Sequence, residues 1–401
     1  MKNLERLFSQ TAKAIRSSEI RDLLKLVAKP NIISFAGGMP DPSSFPKSEL
    51  VKIAEYVATE KTELAFQYGP TEGMPQMLEF LSQKFKSQGI DAAVNTLLIT
   101  SGSQQALDII GKIFLDPRDL VMTEEPAYLG ALNAFRQYRC NFVPIACDSE
   151  GLQVDVASEQ LKKLDRGGGS LPKLIYTNPT FQNPTGSVMP VSRRKKLVDL
   201  ACEYDIFVVE DDPYSRIYFE EEPPPSIKSF DKEGHVIFLS TYSKILSPGI
   251  RLAYLCAQPE LIKKMAIAKQ ALDLCTSSLS QILGYEYEKR SYEEKKIREI
   301  RENYKRKAEL MISCMEENFP DGCEWTKPKG GMFTWVKVPS PLNTKEMLPK
   351  AIKKGVAYVV GTAFYANGGG EQGMRLNFSY PTHEEIKKGI KRLSEIIRDQ
   401  I

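Results

Sequence analysis

Histidine is nearly absent from this chain of 401 residues, which contains only His235 and His383. Metal sites built from several histidines and a Ser–His–Asp triad are therefore poorly supported. The seven cysteines form no Cys-x-x-Cys pair, and their odd number indicates reduced thiols in a cytoplasmic protein. The chemistry is expected to depend on lysine, tyrosine, carboxylates or a cofactor, and no metal is expected.

The sequence also lacks long apolar runs and an excess of charge of either sign. Its 54 basic and 51 acidic residues leave a net charge of +3, which does not indicate a partner such as nucleic acid or an anionic membrane. Charged residues recur every few positions through residues 1–29, so no signal peptide is expected. The longest uncharged run, residues 174–192, is interrupted by prolines, so no transmembrane helix is expected either.

Short apolar runs alternate with amphipathic segments between about residues 95 and 256. This alternation predicts an α/β fold with a largely parallel sheet that helices cover on both faces. The runs expected as strands are residues 97–100, 120–123, 142–145, 173–177, 206–210, 236–240 and 252–256. A long helical stretch is expected over 259–319, followed by strands at 332–338, 356–359 and 374–379 and helices at 344–354 and 383–400.

In open α/β sheets, ligands bind at the carboxyl ends of the strands, so the residues that follow each predicted strand are candidate site residues. Residues 101–105 (Ser-Gly-Ser-Gln-Gln) follow the first strand where a helix begins, which is typical of an anion site. An ordinary capped helix is the alternative. The run lacks the Gly-Lys-Ser/Thr of a nucleotide P-loop.

Three later strand ends carry further polar groups. Residues 178–186 (Asn-Pro-Thr-Phe-Gln-Asn-Pro-Thr-Gly) predict a rigid polar turn or a plain surface loop. The strand at 206–210 runs into the carboxylates of Glu210, Asp211 and Asp212, which need a nearby cation or metal if buried and none if solvated.

Lys244 lies among hydroxyl residues in the segment 240–251, which ends at Arg251. A desolvated lysine near a second cation has a lowered pKa and can attack an aldehyde, whereas a solvated lysine at a strand end has no such role. The four strand ends together suit pyridoxal phosphate, which needs a lysine for its aldehyde, an acid for its pyridine nitrogen, an anion site for its phosphate and a donor to its phenolic oxygen.

These motifs, in this order, resemble those of fold-type I pyridoxal-phosphate aminotransferases, especially the branch with 2-aminoadipate and kynurenine aminotransferases. The resemblance extends from residues 33–40 (Ile-Ser-Phe-Ala-Gly-Gly-Met-Pro) to 374–379 (Met-Arg-Leu-Asn-Phe-Ser). It implies a large cofactor-binding domain with a mostly parallel seven-stranded sheet, a smaller α+β domain and an N-terminal arm. The expected bounds are 1–45 for the arm and part of the small domain, 46–290 for the large domain and 291–401 for the C-terminal small domain.

The resemblance implies an enzyme that moves an amino group from an L-amino acid to a 2-oxo acid by a ping-pong mechanism. The donor is expected to be 2-aminoadipate, glutamate or an aromatic or branched-chain amino acid, and the acceptor 2-oxoglutarate. A C–S lyase on the same scaffold is the main alternative. A third is a regulator domain that senses the cofactor without catalysis, but the Ala-Gly-Gly motif begins at residue 36 and leaves little room ahead of it for a DNA-binding domain.

The resemblance also assigns roles at the cofactor. Lys244 matches the lysine that forms a Schiff base and moves a proton between the substrate Cα and C4′ of the cofactor. Asp211 matches the acid that keeps the pyridine nitrogen protonated, while Tyr214 and Asn183 match the groups bonded to the phenolic oxygen. Tyr128 matches the aromatic ring stacked on the cofactor. The residues that match the phosphate site are Gly102, Ser103, Gln104, Thr241, Ser243 and Arg251, with Thr241 in place of the serine of many relatives.

Other matches concern the substrate and a partner subunit. Arg375 matches the arginine that binds the substrate α-carboxylate, and the backbone of Gly38 is expected to border the substrate together with Asn183. Tyr68 matches a residue that reaches the phosphate of the neighbouring subunit, which implies a homodimer with shared active sites. Arg21 resembles a residue that reads the substrate side chain, although a solvated helix arginine is an equal alternative.

Overall fold

A computed structural model describes residues 4–14 and 31–401 of the chain. Its strands within these ranges are β1 (Ile33–Ser34), β2 (Leu97–Thr100), β3 (Leu120–Glu125), β4 (Asn141–Asp148), β5 (Gly151–Leu152), β6 (Pro172–Thr177), β7 (Phe207–Asp211), β8 (Val236–Thr241), β9 (Ala253–Cys256), β10 (Glu324–Trp325), β11 (Phe333–Lys337), β12 (Val356–Ala357), β13 (Val359–Val360) and β14 (Gly373–Asn377).

Helices connect most of these strands. The α-helices are α1 (Gln10–Ala14), α2 (Lys47–Glu60), α3 (Thr62–Phe66), α4 (Pro75–Ser87), α5 (Ser103–Phe114), α6 (Leu129–Arg136), α7 (Val154–Arg166), α8 (Val191–Tyr204), α9 (Pro259–Asp273), α10 (Ser278–Lys289), α11 (Tyr292–Asn318), α12 (Thr344–Lys353) and α13 (His383–Arg398). Short 3-10 helices span Glu5–Leu7, Pro42–Ser44, Val94–Thr96, Ile227–Phe230, Pro248–Ile250 and Gly361–Phe364. No helix of the described residues is both long and apolar enough to cross a bilayer.

The largest sheet has the strand order β2-β9-β8-β7-β6-β3-β4-β5. Strands β4, β3, β6, β7 and β8 are parallel neighbours, while β9 runs antiparallel between β8 and β2. Because two antiparallel pairings separate β2 from β8, these two strands point the same way. The carboxyl ends of β2, β6, β7 and β8 therefore lie at one edge of the sheet.

The predicted α/β class is confirmed, and each of the seven predicted strands forms within a few residues of its expected bounds. The sheet has an eighth strand, because the two-residue β5 folds back on the end of β4 in an antiparallel pair. Two residues are too few to show an alternating pattern, so this strand left no signal in the sequence.

Helices cover the sheet on both faces, as the near-continuous apolar strands predicted. Helices α5, α6 and α9 share one buried apolar cluster with the sheet, which includes Leu107, Phe135 and Met265. Helices α7 and α8 contribute Leu161 and Leu197 to a second cluster. Each such side chain stabilises the fold by roughly 1.5–3 kcal/mol on burial, so the sheet is a firm support for the residues at its carboxyl edge.

The long helical stretch expected over 259–319 is divided into α9, α10 and α11. Leu274 and Ser291 have φ angles of 62° and 56°, which no α-helix contains. The hydroxyl of Ser277 accepts a hydrogen bond from the backbone N–H of Ser280 and so caps the start of α10. No lysine or glutamate lies between Lys269 and Glu286, so the lysine and glutamate spacing does not support one continuous helix across the first break.

The C-terminal region forms a four-stranded antiparallel sheet of order β10-β11-β14-β13, and α13 packs against α11. The single strand predicted at 356–359 is instead two, because β12 pairs with β1 whereas β13 pairs with β14. Between them Tyr358 is buried, and its hydroxyl donates a hydrogen bond to the carbonyl of Thr344. The domain bounds expected after residues 45 and 290 stay a prediction.

Candidate active site

A cavity of about 330 Å³ lies at the carboxyl edge of the large sheet. Twelve of the residues singled out in the sequence line it: Gly38, Ser103, Gln104, Tyr128, Asn183, Asp211, Tyr214, Thr241, Ser243, Lys244, Arg251 and Arg375. They come from segments up to 337 residues apart, which the parallel strand order brings together.

Lys244 follows β8, and its Nζ donates a hydrogen bond of 2.8 Å to the carbonyl oxygen of Gly38. Burial, together with the nearby positive charges of Arg375 and Arg251, lowers the pKa of this amine to about 8. Part of the amine is therefore neutral near neutral pH, and a neutral amine is the nucleophilic form.

Asp211 is the last residue of β7 and is buried beneath the cavity. Its Oδ2 accepts a hydrogen bond of 2.7 Å from the Tyr176 hydroxyl, and its backbone carbonyl accepts one from Asn178 Nδ2. Oδ1 is buried without a hydrogen-bond partner among the described residues. Burial raises the pKa of this carboxyl to about 7, and the Tyr176 hydrogen bond opposes that rise. An N–H group in the cavity would satisfy Oδ1 and hold the carboxyl ionised.

The two neighbouring carboxylates point elsewhere. Glu210 lies 3.8 Å from the guanidinium of Arg194 in the protein interior, and Asp212 accepts a hydrogen bond from the backbone of Ser215. Successive side chains of a strand point to opposite faces, which separates Glu210 from Asp211. Only Asp211 of the three lines the cavity.

The turn from β2 to α5 provides an anion site. Gly102 has a φ of 87°, and a Cβ atom there would overlap the guanidinium of Arg251. The Ser103 hydroxyl is buried without a partner among the described residues, at the start of a helix that has no side-chain cap. The Thr241 hydroxyl donates to Ser243 Oγ at 2.9 Å. Free donors, a helix N-terminus and a cation in one place suit a phosphate dianion.

Arg375 is 2% exposed, yet no carboxylate of the described chain lies within ion-pairing distance. Its Nη1 donates to Asn183 Oδ1 and its Nη2 to the carbonyl of Ala36, each at 2.8 Å, while its guanidinium carbon lies 4.1 Å from the centre of the Phe333 ring. Burial lowers the pKa of this guanidinium to about 10. A buried cation that has no counterion in the described part of the chain indicates an anionic ligand in the cavity.

Two phenols complete the lining. Burial raises the pKa of Tyr128 to about 12 and raises that of Tyr214 above its usual range, so both hydroxyls stay protonated and can donate hydrogen bonds. Asn183 Nδ2 lies 3.5 Å from the Tyr214 oxygen.

Tyr68 lies apart from this group. The Tyr68 side chain is 78% exposed and does not line the cavity of its own chain. Its loop is held in place because Ser278 Oγ donates a hydrogen bond of 2.9 Å to the carbonyl of Gln67. Arg21 lies outside the described residues.

The sequence model of the family described as "Aminotransferase class I and II" matches residues 30–393. This chain belongs to that family. The aminotransferase is 45% identical over 398 residues to aromatic-amino-acid aminotransferase 1 of Thermococcus litoralis, covering 99% of this chain and 95% of the relative.

Solved structures of aminotransferases are also similar to this chain. The kynurenine aminotransferase of Pyrococcus horikoshii, in complex with PMP, superposes with a TM-score of 0.96 at 47% identity, covering 100% of this chain and 98% of that one. The α-aminoadipate aminotransferase of Thermus thermophilus, complexed with N-(5'-phosphopyridoxyl)-L-leucine, gives a TM-score of 0.91 at 38% identity over 99% of this chain and 98% of that one. The protein is a pyridoxal-phosphate-dependent aminotransferase.

The cavity of this aminotransferase fits that cofactor. Two buried polar atoms without partners, Asp211 Oδ1 and Ser103 Oγ, suit a pyridine N–H and a phosphate oxygen. The amine of Lys244 suits the aldehyde, and the missing side chain at Gly102 leaves room for the Arg251 guanidinium beside the anion site.

Three residues of the aminotransferase were not identified from the sequence. Asn178 lines the cavity and lies in the Asn-Pro motif, but only Asn183 of that motif was assigned a role. Tyr176 is two residues earlier on β6, so strand alternation places it on the same face and could have found it. Phe333, which flanks Arg375, belongs to an apolar strand and had no distinguishing signal.

Proposed function

We propose that Lys244 is the residue that binds the cofactor covalently and moves the substrate proton, with Asp211 holding a proton on the pyridine nitrogen. When bound, pyridoxal phosphate supplies an aldehyde and an electron-withdrawing ring that stabilises negative charge at the substrate Cα. The observation that carries the proposal is a partly buried lysine, with a pKa of about 8, in one cavity with a buried carboxylate whose Oδ1 has no hydrogen-bond partner among the described residues. The lysine accepts the Cα proton as a neutral amine and returns it to the cofactor carbon.

The remaining lining residues bind and orient. Tyr214 and Asn183 donate hydrogen bonds toward the phenolic oxygen, and Tyr128 lies against the ring. The groups that hold the phosphate are the α5 N-terminus with Gly102, Ser103 and Gln104, the hydroxyls of Thr241 and Ser243, and the guanidinium of Arg251. These donors fix the ring so that Lys244 stays within reach of the substrate Cα.

Labelling tests this assignment. Borohydride reduction of the holoenzyme should fix the cofactor on the peptide that contains Lys244, and Lys244→Ala should abolish turnover. Lys307 is an internal control, since it is more deeply buried than Lys244 but ion-paired with Asp41 at 2.6 Å, and it should stay unlabelled. A label on any other lysine would refute the assignment.

For the substrates, we propose an L-amino donor of the 2-aminoadipate, aromatic, branched-chain or glutamate type and 2-oxoglutarate as acceptor. Arg375 binds the α-carboxylate that all these molecules share, beside the backbone of Gly38 and the amide of Asn183. The named relatives act on aromatic amino acids, kynurenine and α-aminoadipate, and their being aminotransferases favours amino transfer over a C–S lyase.

A panel of half-reactions distinguishes these activities. Each amino acid is added alone to the holoenzyme, and the loss of the cofactor absorbance is followed. Donors should convert the cofactor to its amino form, and 2-oxoglutarate should restore it. Release of pyruvate from cystathionine without such interconversion would support the lyase instead.

We further propose a homodimer with shared active sites. Helix α3 and the loop after it carry Leu64, Phe66 and Tyr68, which are 43%, 67% and 78% exposed, and an apolar surface of this kind is typical of an interface. In such a dimer Tyr68 reaches the phosphate of the partner subunit. Sedimentation should give twice the chain mass of 45.1 kDa, and a fully active monomer would rule out shared sites.

A cytoplasmic location is proposed from the thiols. All seven cysteines are unpaired in the structure. Free thiols of this number persist in a reducing compartment.

A further inference from the structure

Three side chains with metal-binding atoms meet at the amino edge of the large sheet, opposite the active-site cavity. Cys202 lies in the last turn of α8, and Glu233 and His235 lie just before β8. Their ligand atoms are all within 4.8 Å of one another. The reaction proposed above uses none of them.

The spacing suits a single tetrahedral ion. Cys202 Sγ and His235 Nδ1 are 3.7 Å apart. Two ligands of one zinc ion, at roughly 2.3 Å for sulfur and 2.0–2.1 Å for nitrogen, are about 3.6 Å apart at the tetrahedral angle. The existing separation therefore requires almost no rearrangement.

The second nitrogen of the imidazole is held in the way metal-binding histidines usually are. His235 Nε2 lies 3.2 Å from Asp205 Oδ1. When Nε2–H donates to this carboxylate, Nδ1 carries the lone pair and faces the sulfur. Asp205 has φ 50° and ψ 50° and is the residue that ends α8. Its contact with His235 therefore connects the end of the helix to the imidazole.

The segment that carries Glu233 and His235 is fixed by hydrogen bonds. Asp231 Oδ1 accepts from the backbone N–H groups of Gly234 at 2.7 Å and His235 at 3.1 Å. Gln258 Nε2 donates to the carbonyls of Glu233 at 3.3 Å and Gly234 at 2.8 Å. Ligands on a backbone held in this way lose little conformational entropy on binding an ion.

The local charge favours a cation. The carboxylates of Glu233, Asp231 and Asp199 lie close enough to Cys202 to interact with it electrostatically. Their negative field attracts a dication, and a bound dication displaces the thiol proton.

We propose that Cys202, Glu233 and His235 form a zinc site, with water as the fourth ligand. Zinc binds the Cys202 sulfur, the thiol proton leaves to solvent, and the Glu233 carboxylate and His235 Nδ1 complete the protein ligands. Zinc suits this mixed set of sulfur, nitrogen and oxygen ligands. The ion joins the end of α8 to the start of β8, so its effect is on stability and not on the reaction at the opposite edge.

The test uses the holoenzyme, treated with a chelator and then titrated with Zn²⁺ by calorimetry. One zinc should bind per chain, and the thermal midpoint should rise because the ion binds only the folded state. Cobalt at the same site should give a sulfur-to-metal charge-transfer band, which is a signature of thiolate ligation.

Variants assign the ligands. Cys202→Ser should remove both the cobalt band and the stoichiometric binding of zinc. His235→Gln should also remove the stoichiometric binding of zinc. Cys323→Ser changes another partly exposed free cysteine and should leave both the cobalt band and zinc binding intact. Asp205→Gly introduces a residue that tolerates the left-handed conformation of this position, but it removes the carboxylate that contacts His235 Nε2. Zinc should therefore bind about 10–100-fold more weakly. Absence of stoichiometric zinc in the wild type, or unchanged zinc in Cys202→Ser, would overturn the proposal.

Discussion

At the scale of single residues, the hydrogen bond from Tyr176 to Asp211 controls the ionisation of the active-site acid. The two residues lie at the ends of the parallel neighbours β6 and β7. Burial alone favours the neutral carboxyl, and the hydrogen bond from the Tyr176 hydroxyl is the main contact that opposes it. The acid is useful only as a carboxylate, because only that form holds a proton on the pyridine nitrogen.

Tyr176→Phe removes this hydrogen bond and should raise the pKa of Asp211. A hydrogen bond to a charged group contributes about 1.5–3 kcal/mol, which corresponds to about one to two pH units. The acid limb of the kcat/KM profile should move to higher pH by that amount, with weaker cofactor binding below the shifted limb.

Tyr287→Phe is the matched control, because Tyr287 is also fully buried and its hydroxyl has no hydrogen-bond partner in the described part of the chain. Its pH profile should equal that of the wild type. An unshifted acid limb in Tyr176→Phe would show that the hydroxyl does not control Asp211.

Two arginines are expected to divide substrate recognition. Arg375→Ala should impair every substrate, because all share the α-carboxylate that we propose this buried cation binds. The distal carboxylate of glutamate or 2-aminoadipate needs a second cation. That cation has to withdraw to water when the side chain is apolar, since an unpaired buried charge costs several kcal/mol.

Arg21 is the candidate for this second cation. Arg21→Ala should weaken glutamate, 2-aminoadipate and 2-oxoglutarate by roughly 1.5–3 kcal/mol, the range for a charged hydrogen bond, and leave leucine and phenylalanine half-reactions nearly unchanged. Single-turnover kinetics for both classes measures the difference. Equal losses for acidic and apolar substrates would contradict the selective role, and no loss for either would make Arg21 an ordinary surface residue.

At the scale of elements, the turn between β2 and α5 joins the anion site to Arg251. Gly102→Ala should reduce the affinity of the apoenzyme for pyridoxal phosphate by at least about tenfold, because the new methyl group displaces the guanidinium and the positive φ adds strain. A fluorescence titration of the apoenzyme with the cofactor measures this affinity.

Gly89→Ala separates the effect of backbone strain from that of the clash with Arg251. Gly89 has a φ of 76° and nothing within 4 Å of its hypothetical Cβ, so this variant carries the strain without the clash. Its cofactor affinity should stay at the wild-type value. A similar loss of affinity in both variants would trace the effect to backbone strain and not to Arg251.

At the scale of the whole molecule, shared active sites predict complementation between two defective chains. Tyr68→Ala damages the site of the partner, whereas Lys244→Ala damages its own. In a mixed dimer, the site with an intact Lys244 receives Tyr68 from the Lys244→Ala chain and should regain activity. Mixing the unfolded variants and refolding them together should therefore give more activity than either alone.

The control is a mixture of Lys244→Ala with Asp211→Asn. Both changes damage the site of their own chain, so each mixed dimer keeps a defect in every site. No activity should return. Activity in neither mixture would show that Tyr68 acts within its own subunit or not at all.

The sequence by itself determined the strands of the large sheet and most of the cofactor site. Continuous apolar runs do not depend on distant residues for their preference, so β2, β7 and β8 were located from the chain alone. Polar residues that follow such strands must lie at the carboxyl edge of a parallel sheet, which brought Asp211 and Lys244 into one site before any contact was known.

Only the tertiary structure decided which side chains act at that edge and which merely surround it. Without the family resemblance, the residue pattern leaves Glu210, Asp211 and Asp212 equivalent, and the strand pleat sends only Asp211 of the three into the cavity. The cluster of Cys202 and His235 joins residues 33 positions apart on a helix end and a loop. Such contacts depend on how α8 packs beside β8, and packing between distant segments leaves no periodic pattern in the chain.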